Sequence, residues 1–74
     1  MTTTILVFKT DITNPRKVMS VLPILSNYPI ITDWSIDTED VDHVLRIEAY
    51  GDLKESEIIR LMKQYGFYCE VLTD

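Results

Sequence analysis

Two groups of side chains in this 74-residue chain could do chemistry by their type and spacing. The first is Arg16 and Lys17, which follow Asn14-Pro15, a preferred helix N-cap before a proline suited to the first helical position. Cations in a first helical turn stand where the macrodipole is already positive, so they cost a few tenths of a kcal/mol each when exposed. With the free backbone N–H groups of a helix start, and with Lys9 and Thr13 nearby in sequence, they would form an anion-binding corner of Lys9, Thr13, Asn14, Arg16 and Lys17. The plainer reading is two solvated side chains whose aliphatic stems cover apolar surface. The second group is Asp37, Glu39, Asp40, Asp42 and His43, which offers carboxylate oxygens and one imidazole to a divalent ion. It lacks the glycine and ligand spacing of a calcium loop, and an acidic hairpin turn is the usual explanation.

Nucleophilic chemistry has less to work with. Cys69 alternates with Phe67 and Val71 in a way that points it inward, where a free cysteine behaves as a small hydrophobe. His43 has no serine or cysteine partner at a recognisable spacing, so no catalytic triad is expected. These features imply no enzyme and no cofactor.

The elements that must position these groups follow from periodicity. Ile5 to Phe8 is an apolar run with the character of a central strand. After Asn14-Pro15, Val18, Val21, Leu22 and Leu25 repeat at i, i+3, i+4 and i+7, one apolar face of a helix. Pro23 lies inside that pattern and predicts a kink or a detached last turn. Ile30 to Asp37 alternates with Trp34 and Ile36 on one face, and Val44 to Tyr50 alternates with Leu45, Ile47 and Ala49 inward. The polar segment 38–43 joins the two strands as a hairpin. Asp52 and Glu55 suggest a capping box for a second helix, with Ile58, Leu61, Met62 and Tyr65 at helical spacing and Gly66 closing it. Phe67 to Leu72 alternates as a last strand. The order β-α-β-β-α-β predicts a single α+β domain over 1–74: a ferredoxin-like two-layer sandwich, with a four-stranded antiparallel sheet and both helices on one face.

Residues 12–25 read Ile-Thr-Asn-Pro-Arg-Lys-Val-Met-Ser-Val-Leu-Pro-Ile-Leu. This stretch resembles the first loop and helix of the heavy-metal-associated domain, which typically carries Met-Thr-Cys-x-x-Cys-Val-x-x-Val-x-x-Ala-Leu. Trp34 to Asp37 resembles that family's second strand. Gly66-Phe67-Tyr68-Cys69-Glu70-Val71-Leu72 resembles its Gly-Tyr-x-Ala-x-Val-Leu ending. The resemblance implies a thiolate pair holding Cu(I) or zinc at the first loop. Asn14 and Lys17 stand in the two cysteine places here. An amide oxygen is a poor ligand for a soft ion and an ammonium repels it, so metal carriage by this loop is not expected. A metal-binding protein using other ligands is the alternative. The fold also hosts acylphosphatases, whose catalytic arginine and asparagine pattern is not evident.

Composition narrows the partners. A net charge of −5, from seven Lys and Arg against twelve Asp and Glu, argues against nucleic acid, whose phosphates need a basic stripe. One cysteine rules out an intrachain disulfide. With no signal or membrane segment expected, a cytoplasmic protein is the default. Tyr28 and Tyr50 read as ordinary rim residues. If Leu6 and Phe8 face the helices, Ile5 and Val7 lie on the open sheet face near Tyr68, Leu72 and Val44, with Arg46 and Glu48 alongside. That uncovered apolar group predicts an interface for an unknown protein partner or a weak homodimer.

Overall fold

Strand β1, Thr3–Thr10, buries Leu6, Phe8 and Thr10 and leaves Thr3, Ile5 and Lys9 exposed, the period-2 pattern of a strand covered on one face. The structure is a computed structural model that describes residues 3–73. Helix α1, Pro15–Ser26, and strands β2, Ile31–Ile36, and β3, Leu45–Tyr50, follow. Helix α2, Glu55–Gln64, and strand β4, Cys69–Val71, complete the predicted β-α-β-β-α-β order. The strands run β2-β3-β1-β4 across the sheet and every neighbouring pair is antiparallel. The fold is the expected ferredoxin-like sandwich.

The core lies between the sheet and the two helices. Phe8, Leu45, Ile47 and Ala49 rise from the sheet to meet Val21 and Leu25 of α1 and Ile58 and Met62 of α2. Phe8 is opposite Leu45 on β3 and Val71 on β4, so the strand-one register has Phe8 inward and Val7 outward, as the alternation predicts. Among the described residues, two that are buried fall outside regular elements: Ile12, which anchors the β1–α1 loop, and Leu53, which anchors the approach to α2. An extra residue at Thr32 interrupts the β2–β3 ladder, where Ile31 pairs with Ala49 but Asp33 already pairs with Glu48. A bulge of this kind keeps both Ile31 and Trp34 against the core despite their odd spacing.

Several local expectations need correction. Helix α1 continues through Pro23 to Ser26 rather than breaking there. Pro23 is exposed, so the peptide oxygen left without a donor can turn to water. Leu22 is 45% exposed and leaves the predicted buried stripe, which narrows to Val21 and Leu25 with Val18 partly covered. Asp52 does not cap α2: the N-cap is Lys54, and it makes no side-chain capping bond. Leu53 points into the core, and the chain enters the helix two residues later than a box from Asp52 would require. Tyr65 ends α2 and is exposed. Gly66 does take the left-handed conformation, at φ +87°. Strand β4 is shorter than the 67–72 alternation suggests because Asp11 accepts the Tyr68 N–H at 3.1 Å, which holds the chain before Cys69 outside the ladder.

Candidate functional site

The β1–α1 loop is built around two side chains that turn back on it. Asn14 is extended, with φ −151° and ψ 164°, and its Oδ1 accepts the Lys17 N–H at 3.0 Å. Pro15 occupies the first helical position, where its missing N–H costs nothing. Lys17 Nζ donates to the backbone oxygen of Asp11 at 3.1 Å, so the ammonium lies across the loop. Thr10, nearly buried, donates its hydroxyl to the His43 carbonyl at 2.5 Å and accepts the Ile12 N–H at 3.2 Å. These bonds tie the start of the loop to the β2–β3 hairpin.

The members of the anticipated anion corner are engaged differently from one another. Lys9 projects from the open sheet face, 3.7 Å from Asp42. Lys17 is directed to the Asp11 carbonyl, and Asn14 to the helix start. Thr13 and Arg16 are exposed, and Arg16 makes no ion pair among the described residues.

The acidic hairpin is occupied with turn chemistry. Asp37 Oδ1 accepts the N–H groups of Glu39 at 3.0 Å and Asp40 at 3.2 Å, and Asp40 Oδ1 accepts that of Asp42 at 2.8 Å. Such side-chain-to-backbone bonds are what aspartates supply in turns. His43 sits at φ +45°, with Nδ1 3.1 Å from the Thr38 carbonyl oxygen. Among the described residues, no three His, Cys, Asp or Glu side chains gather as a metal site. Cys69 is half-buried; burial, and secondarily the charge of Asp11, pushes its thiol up to about 12.

The open face of the sheet holds the remaining candidates. Ile5 is half exposed, and Val7 lies beside it on β1, opposite Arg46 of β3. On the other side Leu72 donates its N–H to the Val7 carbonyl at 3.1 Å, which brings Ile5, Val7 and Leu72 into one apolar group. Tyr68 is on the same face but stands beyond the Lys9–Glu70 pair, and its hydroxyl donates to Glu70. Arg46 and Glu48 form a 3.5 Å ion pair along the opposite border. Val44, which falls just before β3, lies at the far end of that border.

No family model matches the chain, and no curated protein matches it. Solved structures do. The apo form of the HMA domain of the copper chaperone for superoxide dismutase superposes with a TM-score of 0.80 at 19% identity, over 97% of this chain and 69% of that one. The fold is that of a heavy-metal-associated domain. A structure solved in work on crosstalk between Cu(I) and Zn(II) homeostasis gives a TM-score of 0.77 at 8% identity, over 93% of this chain and 99% of that one.

At these identities the heavy-metal-associated likeness concerns the backbone, and the first loop must be judged on its own side chains. They do not fit a soft metal ion. The chain has one cysteine, so no pair of thiolates can form within it. The two positions that the resemblance assigns to thiolates carry an amide committed to capping α1 and an ammonium committed to the Asp11 carbonyl. A cation approaching this loop would meet the Lys17 charge. No helix among the described residues is long and apolar enough to cross a membrane.

Proposed function

We propose that this chain is a non-enzymatic interaction module on a heavy-metal-associated scaffold, docking a protein through the open sheet face rather than carrying a soft ion in its first loop. The observation that carries this reading is the contiguous group of half-exposed Ile5 and partly buried Val7 and Leu72 on the sheet face that no helix among the described residues covers. Burying such side chains yields about 25 cal/mol per Å², and uncovered apolar groups of this kind mark interfaces. The non-enzymatic part is supported by the state of the only thiol and the only imidazole. Cys69 stays protonated near neutral pH, and His43 is bonded to the hairpin backbone.

Sedimentation equilibrium of the wild type and of Val7→Lys at rising concentration tests the reading. Association lost in Val7→Lys supports it. A strict monomer to millimolar concentration leaves a foreign protein, for which binding must also be sensitive to Val7→Lys. Insensitivity of every association to this change would refute it. The variant should keep its fold, because Val7 points away from the core. Phe8→Ala, one residue on, should cost about 3–5 kcal/mol, since Phe8 is fully buried.

The heavy-metal-associated fold itself favours a second reading, metal handling completed by ligands outside the first loop or from a partner. Competition for Cu(I) or zinc with a chelating indicator separates the two. Submicromolar one-to-one binding would establish metal handling, and its loss on changing Asn14 or Lys17 would place the site at the first loop after all.

A further inference from the structure

Charge is distributed unevenly between the two faces of the sandwich. Asp33, Glu48 and Glu70 border the apolar group on the open sheet face, and Asp37, Glu39, Asp40 and Asp42 crowd the hairpin at its end. The cations on this side among the described residues are Lys9 and Arg46. Both are held in ion pairs, with Asp42 at 3.7 Å and Glu48 at 3.5 Å. The helical layer is the reverse: Arg16, Lys17, Lys54, Arg60 and Lys63 outnumber Asp52, Glu55 and Glu57 there. On the open-face side seven acids therefore stand against two cations, around Ile5, which is half exposed, and Val7 and Leu72, which are partly buried.

We infer that this face docks an amphipathic helix of another protein, with an apolar stripe flanked by lysine or arginine; the inference rests on the reading of the open face as an interface. An apolar centre within an acidic border is complemented by an apolar stripe within a basic one. A helix is the element that packs on the second face of a sheet in layered α/β folds. Ile5 and Val7 lie about 7 Å apart along β1, with Leu72 about 5 Å to the side, a footprint that residues at i, i+3, i+4 and i+7 of a helix cover. A second copy is a poorer occupant. Two such faces meeting each other bring like charge together, and a helical layer stacked on an open face repeats head to tail into a ring or a filament rather than a two-fold dimer.

The test uses the full chain labelled with ¹⁵N and three synthetic peptides. One is a helical peptide with a leucine stripe flanked by lysines, one replaces the lysines by glutamates, and one scrambles the first so that no stripe remains. The expected result is saturable shifts at Ile5, Val7, Arg46, Glu48 and Leu72 with the basic amphipathic peptide and none with the glutamate peptide. The scrambled peptide should bind about tenfold more weakly, because charge attraction alone is screened over a Debye length of about 8 Å. Glu48→Lys with Glu70→Lys should weaken the basic peptide about tenfold, a change expected of rim charges that steer a partner. Ile5→Lys and Val7→Lys should do the same while preserving the dispersed spectrum. Equal binding of the scrambled peptide, shifts confined to the helical layer, or no saturable shift would overturn the inference. If the basic peptide is ignored while the wild type self-associates in a manner lost in Val7→Lys, the face is an interface and only the partner chemistry is wrong. If neither occurs, the inference falls, and the interaction-module reading then stands only on binding of a foreign protein that is lost in Val7→Lys.

Discussion

Replacing Asn14 separates a structural from a ligand-binding role for the first loop. In Asn14→Ala the Lys17 N–H loses its 3.0 Å acceptor, while Pro15 still fixes the first helical φ. The site is exposed, so water takes over the freed N–H, and the loss is the ordinary one for a helix cap, about 1 kcal/mol. In a domain of this size that lowers the melting temperature by roughly 4–8 °C. Asn14→Asp should go the other way. The first turn of α1 carries no acidic residue and two cations, so a carboxylate at the cap keeps the hydrogen bond and adds about 0.3–1 kcal/mol from the helix dipole. Helix α2 provides the converse control. Its N-cap Lys54 makes no side-chain bond, so Lys54→Ser should stabilise by about 0.5–1 kcal/mol. Urea denaturation followed by far-ultraviolet circular dichroism reads all three, with m-values unchanged if only native stability moves. An Asn14→Ala midpoint equal to that of wild type would show that Asn14 does not cap α1. An Asn14→Asp midpoint no higher than that of wild type would refute the electrostatic reasoning.

Restoring thiolates by Asn14→Cys with Lys17→Cys should confer soft-metal affinity on the isolated chain, measured by indicator competition; no gain would mean that this loop does not superpose on the family's metal loop. Gly66→Ala should destabilise by about 1–2 kcal/mol through the left-handed conformation alone, because a Cβ there meets nothing within 4 Å; an unchanged thermal midpoint would contradict this. Cys69 is held protonated in the fold by burial, its thiol raised from 9.0 to about 12. In the unfolded chain the thiol ionises first, so its stabilising contribution is complete below pH 9 and is lost as pH rises toward 12. Denaturation midpoints between pH 8 and 10.5 should therefore fall more steeply for wild type than for Cys69→Ala, and parallel slopes would count against a buried thiol.

The order of elements, the inward faces of β1 and β3, the Asn14 cap and the left-handed Gly66 were all legible in the sequence, because each depends on neighbours within a few residues. Alternation in 45–50 and a preferred cap before a proline are local patterns with local causes. The lack of a Cys-x-x-Cys pair was equally plain from a chain with one cysteine.

What the sequence could not decide depends on contacts between distant segments. Leu53 is buried 4% exposed against the core, and that contact rather than the Asp52–Glu55 spacing sets where α2 begins. Leu22 has the right helical spacing but is 45% exposed, while Val21 and Leu25 on the same helix are fully buried. The fate of Lys17 is a matter of reach: its ammonium finds the Asp11 carbonyl only when the loop is folded. The charge division between the two faces likewise arises from folding. The acidic hairpin 37–42 is already a run in the sequence, but only the strand register places Asp33, Glu48 and Glu70 around Val7 and Leu72 while the helices carry most of the cations to the opposite side.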